Sequence, residues 1–160
     1  VRIVEAVVAA NEDRKQRMAE KAIKAFGGSV AGKTLAVLGL TFKPNTDDMR
    51  DSASLVIVPA LQQARAAIRA YDPEGMDEAR AMLDGVAWCN DAYEAMEGAD
   101  GVLILTEWNE FRSLDLDRVR KLLQSPTMVD LRNIYEPAEM RDAGFTYVSV
   151  GRAPATAPGG

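Results

Sequence analysis

The sequence contains no histidine and a single cysteine, Cys89. Without histidine the chain cannot form a Ser-His or Cys-His nucleophile pair, and it lacks the commonest metal ligand of proteins. One thiol cannot close an internal disulfide, which fits a reducing cytoplasm, and it does not make a zinc site with ordinary spacing. We therefore expect a cytoplasmic protein with no metal site, whose chemistry depends on lysine, arginine and carboxylate side chains.

The chain also has no excess of positive charge and no long apolar run. Its 19 lysine and arginine residues face 24 acidic ones, for a net charge of −5. That balance argues against a nucleic-acid partner, and the absence of a membrane-length apolar run argues against a membrane partner. A length of 160 residues with 48% hydrophobic residues predicts a globular domain with a substantial core.

Short apolar runs alternate with helical patterns along the chain. We predict strands at 35–38, 67–71, 86–89, 100–106, 127–130 and 145–150. We predict helices at 1–26, 53–66, 76–83, 93–97, 114–123 and 137–143. This alternation indicates an α/β fold: a Rossmann-like, open, mostly parallel sheet of about six strands with helices on both faces, preceded by a long N-terminal helix.

The stretch 34–54 runs from a buried strand through a charged loop to a helix start. The loop concentrates Lys43, Asp47, Asp48 and Arg50 at the carboxyl end of the first strand, where open α/β sheets bind ligands. One interpretation is a solvated loop whose charges neutralise one another. The other is an anion-binding loop, in which the lysine acts as a point charge and the arginine binds a phosphate or carboxylate through its planar fork. Spacing alone leaves both open.

Three further positions carry two interpretations each. Asp72, after the second strand, either binds a ribose or has a structural role, and the structural role is favoured because the first turn lacks a G-x-G-x-x-G pattern. Trp108 either packs over the end of the sheet or contacts a ligand. Arg132 either forms an ion pair with Asp130 or Glu136, or joins the two cations of the first loop in a diphosphate site at one rim of the sheet.

Four ordered motifs resemble those of a known family. Residues 39–52 read Gly-Leu-Thr-Phe-Lys-Pro-Asn-Thr-Asp-Asp-Met-Arg-Asp-Ser; residues 71–73 read Tyr-Asp-Pro; residues 106–111 read Thr-Glu-Trp-Asn-Glu-Phe; and residues 130–133 read Asp-Leu-Arg-Asn. In order and spacing they resemble the carboxy-terminal, nucleotide-sugar-binding domain of the UDP-glucose/GDP-mannose dehydrogenase family. The similarity extends over residues 1–152, nearly the whole chain.

This resemblance implies roles for individual residues. Phe42, Lys43 and Arg132 match positions that contact the UDP-sugar, and Arg50 matches an arginine that reaches the NAD held by the other domain. Family members oxidise the C6 hydroxymethyl group of UDP-glucose to the carboxylate and pass two hydrides to two NAD molecules. Their nucleophilic cysteine lies in a Gly-rich motif upstream of this domain and does not match Cys89. The resemblance therefore implies an NAD-dependent enzyme of which this fragment, without catalytic residues, is an inactive part.

The resemblance also implies a domain organisation and partners. We expect an inter-domain and dimerisation helix at 1–28, the UDP-binding domain at 29–150 and a disordered tail at 151–160. The expected partners are UDP-glucose, the protein's own N-terminal NAD-binding domain and a second copy in a homodimer. The apolar, uncapped start of the chain favours a domain cut from a longer protein. Alternatives are a member that acts on GDP-mannose or UDP-N-acetylmannosamine, and a non-catalytic nucleotide-binding or dimerisation module.

Overall fold

A single parallel sheet forms the centre of the molecule. The computed structural model describes residues 2–157. The strands are β1 Thr34–Leu38, β2 Ala67–Tyr71, β3 Val86–Trp88, β4 Gly101–Ile104, β5 Thr127–Asp130 and β6 Thr146–Ser149. The helices are α1 Arg2–Ala25, α2 Ser54–Gln63, α3 Met76–Arg80, α4 Ala92–Met96, α5 Asn109–Arg112, α6 Leu116–Leu122 and α7 Pro137–Asp142.

The strand order is β3-β2-β1-β4-β5-β6, and every neighbouring pair is parallel. This is the doubly wound Rossmann order, so the predicted fold class is confirmed. The order reverses on either side of β1 and β4. The connections from β1 and β4 therefore lead to helices on opposite faces of the sheet, α2 and α6, and leave a crevice beyond the strand ends, which is where such sheets bind their ligands.

Alternating residues of the central strands form two cores, one on each face of the sheet. Leu35 and Val37 pack in the cluster that includes residues of α1 and α2. Ala36 and Leu38 pack in the cluster that includes residues of α4, α6 and α7. Because both faces are covered, the strands need apolar residues at successive positions, and this explains their continuous apolar runs.

The long helix α1 is buried only along its second half. Phe26, just after its end, is 5% exposed and lies directly over Gly101, where a Cβ atom would come within 2.2 Å of the phenyl ring. A glycine at the start of β4 thus allows the end of α1 to approach the sheet closely. Towards its start, α1 presents exposed apolar side chains, including Ile3 at 80% and Val4 at 66%. Within residues 2–157, no helix combines the length and apolar character needed to cross a membrane.

Several helices differ from the prediction: α3 ends at Arg80 rather than at 83, α5 lies where no helix is predicted, and α2 and α6 are shorter. The predicted helix at 114–123 is a shorter α6 that begins after Asp115, whose side chain accepts a hydrogen bond from the Arg118 N–H at 3.2 Å. Helix α2 ends at Gln63 rather than near 66 because Arg65 adopts a left-handed conformation with φ 71°. The Ala66 N–H then donates to the carbonyl of Leu61 at 3.0 Å, completing a Schellman cap around a residue that is not glycine.

The C-terminal segment is ordered where disorder is predicted. Ala155 forms an antiparallel bridge with Tyr147 of the edge strand β6, through backbone hydrogen bonds of 2.8 and 3.0 Å. The Arg152 side chain donates to the Ser149 hydroxyl at 2.9 Å and to the Tyr135 carbonyl at 2.9 Å. Residues 151–157 therefore follow the sheet instead of forming a free tail, while residues 158–160 lie outside the described part of the chain.

Candidate functional site

A cavity of about 340 Å³ lies between α1 and the carboxyl edge of the sheet. Phe42, after β1, and Arg132, after β5, line it from the sheet side. Asn11, Arg14 and Lys15 of α1 line it from the helix side. Three cations, two carboxylates (Glu12 and Asp51) and an aromatic side chain thus line a cavity of mixed polar and apolar character at the crevice where the strand order reverses. The cations outnumber the acids by one, which suits an anionic ligand with a planar group.

Asp72 fixes the backbone at the entrance of the loop after β1. This carboxylate is 1% exposed, and its Oδ2 accepts hydrogen bonds from the N–H groups of Leu40 at 2.7 Å and Thr41 at 3.2 Å. The same oxygen accepts from the Trp108 indole at 3.2 Å, while Oδ1 accepts from the Gly75 N–H at 2.7 Å. Asp72 therefore has the structural role favoured from sequence, and Trp108 packs at the end of the sheet, the first of its two interpretations, since each ties one loop of the rim to another.

The start of α2 is joined to the same loop by two buried hydroxyl groups. The Ser54 hydroxyl donates to the Leu40 carbonyl at 2.7 Å, and the Ser52 hydroxyl donates to the same oxygen. Both serine residues are at most 2% exposed. The charged loop between Leu40 and Ser52 is thus closed at its base, so its outer residues are presented from a rigid frame.

Gly39 allows the loop after β4 to pass against the end of β1. Its φ of +91° lies in the left-handed region, and a Cβ atom there would come within 2.5 Å of the Thr106 Cβ. At this close approach, the Thr106 hydroxyl donates to the Thr41 carbonyl at 2.8 Å. The first two rim loops are therefore held together at a point where only glycine fits.

A second buried carboxylate shapes the loop that carries Arg132. Asp130, at the end of β5, accepts hydrogen bonds from the N–H groups of Arg132 at 3.0 Å, Ile134 at 2.8 Å and Tyr135 at 3.1 Å. It also accepts one from the Tyr147 hydroxyl at 2.5 Å. Asp130 is 0% exposed, so it has the same function for the third rim loop as Asp72 has for the first.

The Arg132 side chain forms an ion pair with Glu107, on the neighbouring loop. Its Nε donates to Glu107 Oε2 at 2.7 Å, and its Nη2 donates to the same oxygen. The sequence analysis considered Asp130 and Glu136 as ion-pair partners of Arg132. Asp130 instead binds the backbone N–H of Arg132, and Glu136 lies nearer to Arg152, at 3.9 Å.

The structure brings together only part of the predicted site. Phe42, 48% exposed, and Arg132 line the cavity. Lys43 is exposed and is not among the described residues that line the cavity. Arg50 lies on the outer part of the loop with its side chain 88% exposed, and it donates to Asp48, which lowers the pKa of that carboxyl. The binding roles of these residues stay predictions.

Sequence reasoning missed the contribution of α1. Residues 11–17 are strongly polar and were assigned no site residue, yet Asn11, Arg14 and Lys15 lie along the cavity, and the Lys15 side chain is only 15% exposed. A signal was present: Asn11, Arg14, Lys15 and Met18 follow the i, i+3, i+4, i+7 spacing of one helix face, and Met18 packs against the core. Polar residues continuing an apolar stripe indicate a face that meets the rest of the protein.

Cys89 has the properties of a core residue. It is 3% exposed, and burial raises the pKa of its thiol. A thiol of this kind is a poor nucleophile at neutral pH. Among residues 2–157, no group of three or more histidine, cysteine or acidic side chains could hold a metal ion.

The parallel order of the strands and the cationic cavity at their carboxyl edge place the chain among Rossmann-like ligand-binding domains. The sequence model described as "UDP-glucose/GDP-mannose dehydrogenase family, UDP binding domain" matches residues 36–137, and the chain belongs to that family.

Its relatives include named enzymes. It is 53% identical over 152 residues to UDP-glucose 6-dehydrogenase of Rhizobium meliloti (strain 1021), covering 95% of this chain and 35% of that protein. It is 43% identical to UDP-glucose 6-dehydrogenase TuaD of Bacillus subtilis (strain 168), covering 94% of this chain and 33% of that protein. The chain thus spans about a third of the length of these curated relatives.

Solved structures agree with the fold. A UDP-glucose dehydrogenase from the hyperthermophilic archaeon Pyrobaculum islandicum superimposes with a TM-score of 0.73 at 31% identity, over 88% of this chain and 30% of that one. The UDP-N-acetyl-mannosamine dehydrogenase Cap5O from S. aureus superimposes with a TM-score of 0.65 at 26% identity, over 86% of this chain and 30% of that one.

Proposed function

We propose that this chain is the UDP-sugar-binding domain of a UDP-glucose 6-dehydrogenase, which oxidises UDP-glucose to UDP-glucuronate with two NAD molecules. The observation that carries the proposal is that Arg132 and Phe42 line the same cavity at the carboxyl edge of the sheet. These are two of the residues that the family motifs assign to the sugar nucleotide. The names of the relatives of 53% and 43% identity support the choice of substrate.

In this proposal the cavity binds the nucleotide part of the substrate. Arg132 supplies charge-assisted hydrogen bonds to the diphosphate, and Phe42 offers an exposed ring against which the uracil packs. Arg14 adds positive charge from the α1 side, whereas the charge of Lys15 is balanced by Glu12, whose Oε1 lies 3.3 Å from the Lys15 Nζ. Lys43, outside the lining, reaches the ligand from the loop above it.

The chemical steps are assigned to residues outside this chain. Cys89 is buried with a raised pKa, so the proposed function places no nucleophile here. NAD, held mainly by the N-terminal domain of the full-length protein, supplies hydride acceptance. From this chain we assign Arg50 to the cofactor: its side chain is 88% exposed on the outer loop, where it can meet a phosphate presented by another domain. The fragment alone is expected to be inactive.

We also assign the apolar start of α1 to contacts with the N-terminal domain and with a second copy of the protein. Ile3, Val4, Val7 and Val8 are each at least 55% exposed, which is unusual for four apolar residues on one helix segment. Val7→Asp in the full-length protein is expected to lower the sedimentation coefficient to that of a monomer. An unchanged dimer would contradict the assignment.

Two other substrates compete within the family. A domain that binds GDP-mannose or UDP-N-acetylmannosamine would use the same fold, as Cap5O illustrates at 26% identity. The alternative outside the enzymes is a non-catalytic domain that binds a nucleotide or mediates dimerisation. Motif 106–111 together with motif 130–133 favours UDP-glucose.

Calorimetric titration of the full-length protein with UDP-glucose, UDP and GDP tests the proposal. UDP-glucose and UDP should bind, GDP should bind weakly, and Arg132→Ala should weaken uridine binding roughly tenfold or more through the lost charge-assisted bonds. Lys43→Ala should have a smaller effect, since that residue lies outside the cavity lining. Arg141→Ala, an arginine on α7 paired with Asp142, is the matched control. Equal binding of GDP, or unchanged binding by Arg132→Ala, would refute the proposal.

A further inference from the structure

The guanidinium of Arg132 is held at one edge by a residue that lies outside the cavity. Glu107 Oε2 accepts from both Nε, at 2.7 Å, and Nη2. The Arg132 side chain is 40% exposed and the Glu107 side chain 22% exposed, so the carboxylate is the more enclosed partner. Arg132 lines the cavity, whereas Glu107 is not among the described residues that line it.

The geometry of the pair determines which part of the guanidinium is presented. An arginine fork offers two edges for anions, Nε with Nη2 and Nη1 with Nη2. Glu107 occupies the first edge through a single oxygen. The second edge is then the one that Arg132 can offer to a ligand in the cavity.

The backbone that carries Glu107 is fixed on both sides. Its preceding neighbour, Thr106, is 1% exposed and donates to the Thr41 carbonyl at 2.8 Å. Its following neighbour, Trp108, is 7% exposed and donates to Asp72 at 3.2 Å. A carboxylate between two buried, hydrogen-bonded residues is a rigid support and not a mobile surface charge.

Arg132 is also fixed at its main chain, where its N–H donates to the buried carboxylate of Asp130 at 3.0 Å. With its backbone and one guanidinium edge both held, the side chain loses little conformational freedom when it binds an anion. Glu107 also reduces the net positive charge near the ligand. Because the pair is partly exposed, solvent and salt weaken this repulsion more than they weaken the direct hydrogen bonds.

We propose that Glu107 is a positioning residue, which holds Arg132 with its Nη1 edge towards the cavity to receive an anionic group of the nucleotide sugar. This inference rests on the proposed function, since it assigns Arg132 to the sugar nucleotide. Glu107 itself does not touch the ligand. It acts by holding the Arg132 side chain in one rotamer before the ligand binds.

The test compares substitutions of Glu107 in the full-length protein. Glu107→Ala removes the acceptor and should raise the KM for UDP-glucose and the Kd for UDP roughly threefold to tenfold, while the KM for NAD stays unchanged. Glu107→Gln keeps an acceptor oxygen without the charge and should restore binding to the native level or better. Glu110→Ala is the matched control, because Glu110 lies three residues further on, in α5, and accepts from the Tyr71 hydroxyl, at 3.3 Å, instead of from Arg132.

Each outcome has a defined meaning. If Arg132→Ala weakens binding and Glu107→Ala behaves as Glu110→Ala does, the positioning role is refuted while the proposed function stands. If Arg132→Ala itself binds normally, the site assignment and the positioning role both fail. Thermal melting checks that Glu107→Ala is folded. Should it unfold, Glu107→Asp, which keeps the charge on a shorter side chain, replaces it and is expected to weaken binding; native binding by that variant would refute the role.

Discussion

Replacing Asp72 with alanine removes the acceptor of six hydrogen bonds. Five of the donors are buried: the N–H groups of Leu40, Thr41 and Gly75, the indole of Trp108 and the Thr41 hydroxyl. The hydroxyl also reaches the Lys43 carbonyl, so four donors would lose their acceptor. A buried donor left without an acceptor costs about 1–3 kcal/mol. Water entering the vacated space satisfies some of them, so we expect a loss near the lower limit of the sum, about 4 kcal/mol.

Urea denaturation of the 160-residue chain measures this loss as a lower midpoint at constant slope. The melting temperature should fall by roughly 8–16 °C, given about 2–4 °C per kcal/mol for a chain of this size. Asp72→Asn keeps one oxygen and most of the volume, so it should lose less than Asp72→Ala. Asp84→Ala, at an exposed aspartate, should change the free energy of unfolding by no more than about 0.5 kcal/mol. A loss below about 1 kcal/mol for Asp72→Ala would refute the view that this carboxylate holds the rim together.

Three further predictions concern positions away from the cavity. Arg65→Gly should raise the free energy of unfolding by about 0.5 kcal/mol in urea titrations, because glycine adopts the left-handed φ of 71° without strain; a lower midpoint would contradict this. Cys89 should react with a thiol reagent at neutral pH only as fast as the chain unfolds, because its thiol is buried and has a raised pKa; rapid labelling of the native protein would show otherwise. Burial raises the pKa of Tyr135 to about 12, so its neutral form is favoured in the folded state. Its contribution to stability should be complete below pH 10 and be lost as the pH rises towards 12, as phenolate absorbance and urea midpoints measured together would show; ionisation at its ordinary pKa would disprove it.

The sheet could be predicted from sequence because burial on both faces leaves a strong local signal. Strands β2 and β5 match the predicted ranges 67–71 and 127–130 residue for residue. Each is a short run with apolar residues and an aspartate at its carboxyl end: Asp72 follows β2, and Asp130 is the last residue of β5. In a parallel sheet covered by helices, such a run has few other stable conformations.

The predicted boundaries that differ from the structure depend either on a capping side chain that competes with the apolar pattern or on contacts between residues distant in sequence. Helix α6 starts after Asp115 because a capping side chain outweighs the apolar pattern that begins at Leu114. The C-terminal segment has the composition of a linker, and it is ordered because Ala155 finds a partner in the free edge of β6. No local pattern specifies that pairing.

The candidate site also has residues that could be predicted from sequence and residues that could not. Topology predicted that Lys43, Arg50 and Arg132 would converge at the carboxyl ends of the strands, and of these three only Arg132 lines the cavity. Phe42, which also lines it, was indicated by the family resemblance alone. Lys43 lies one residue further along the loop and is outside the cavity lining, since the conformation of the loop decides where its side chains lie. The contribution of Arg14 and Lys15 requires α1 to fold back over the sheet edge, which is a long-range event.

The two buried carboxylates, Asp72 and Asp130, have a consequence for how this family diverges. They fix the rim by binding backbone groups, whose chemistry is the same whatever side chains the loops carry. Phe42, 48% exposed, takes little part in that frame, so its side chain is free to vary at small cost in stability. Exposed rim positions such as Phe42 can therefore vary while the buried hydrogen bonds that hold the scaffold stay in place, so variation at these positions is nearly independent of folding.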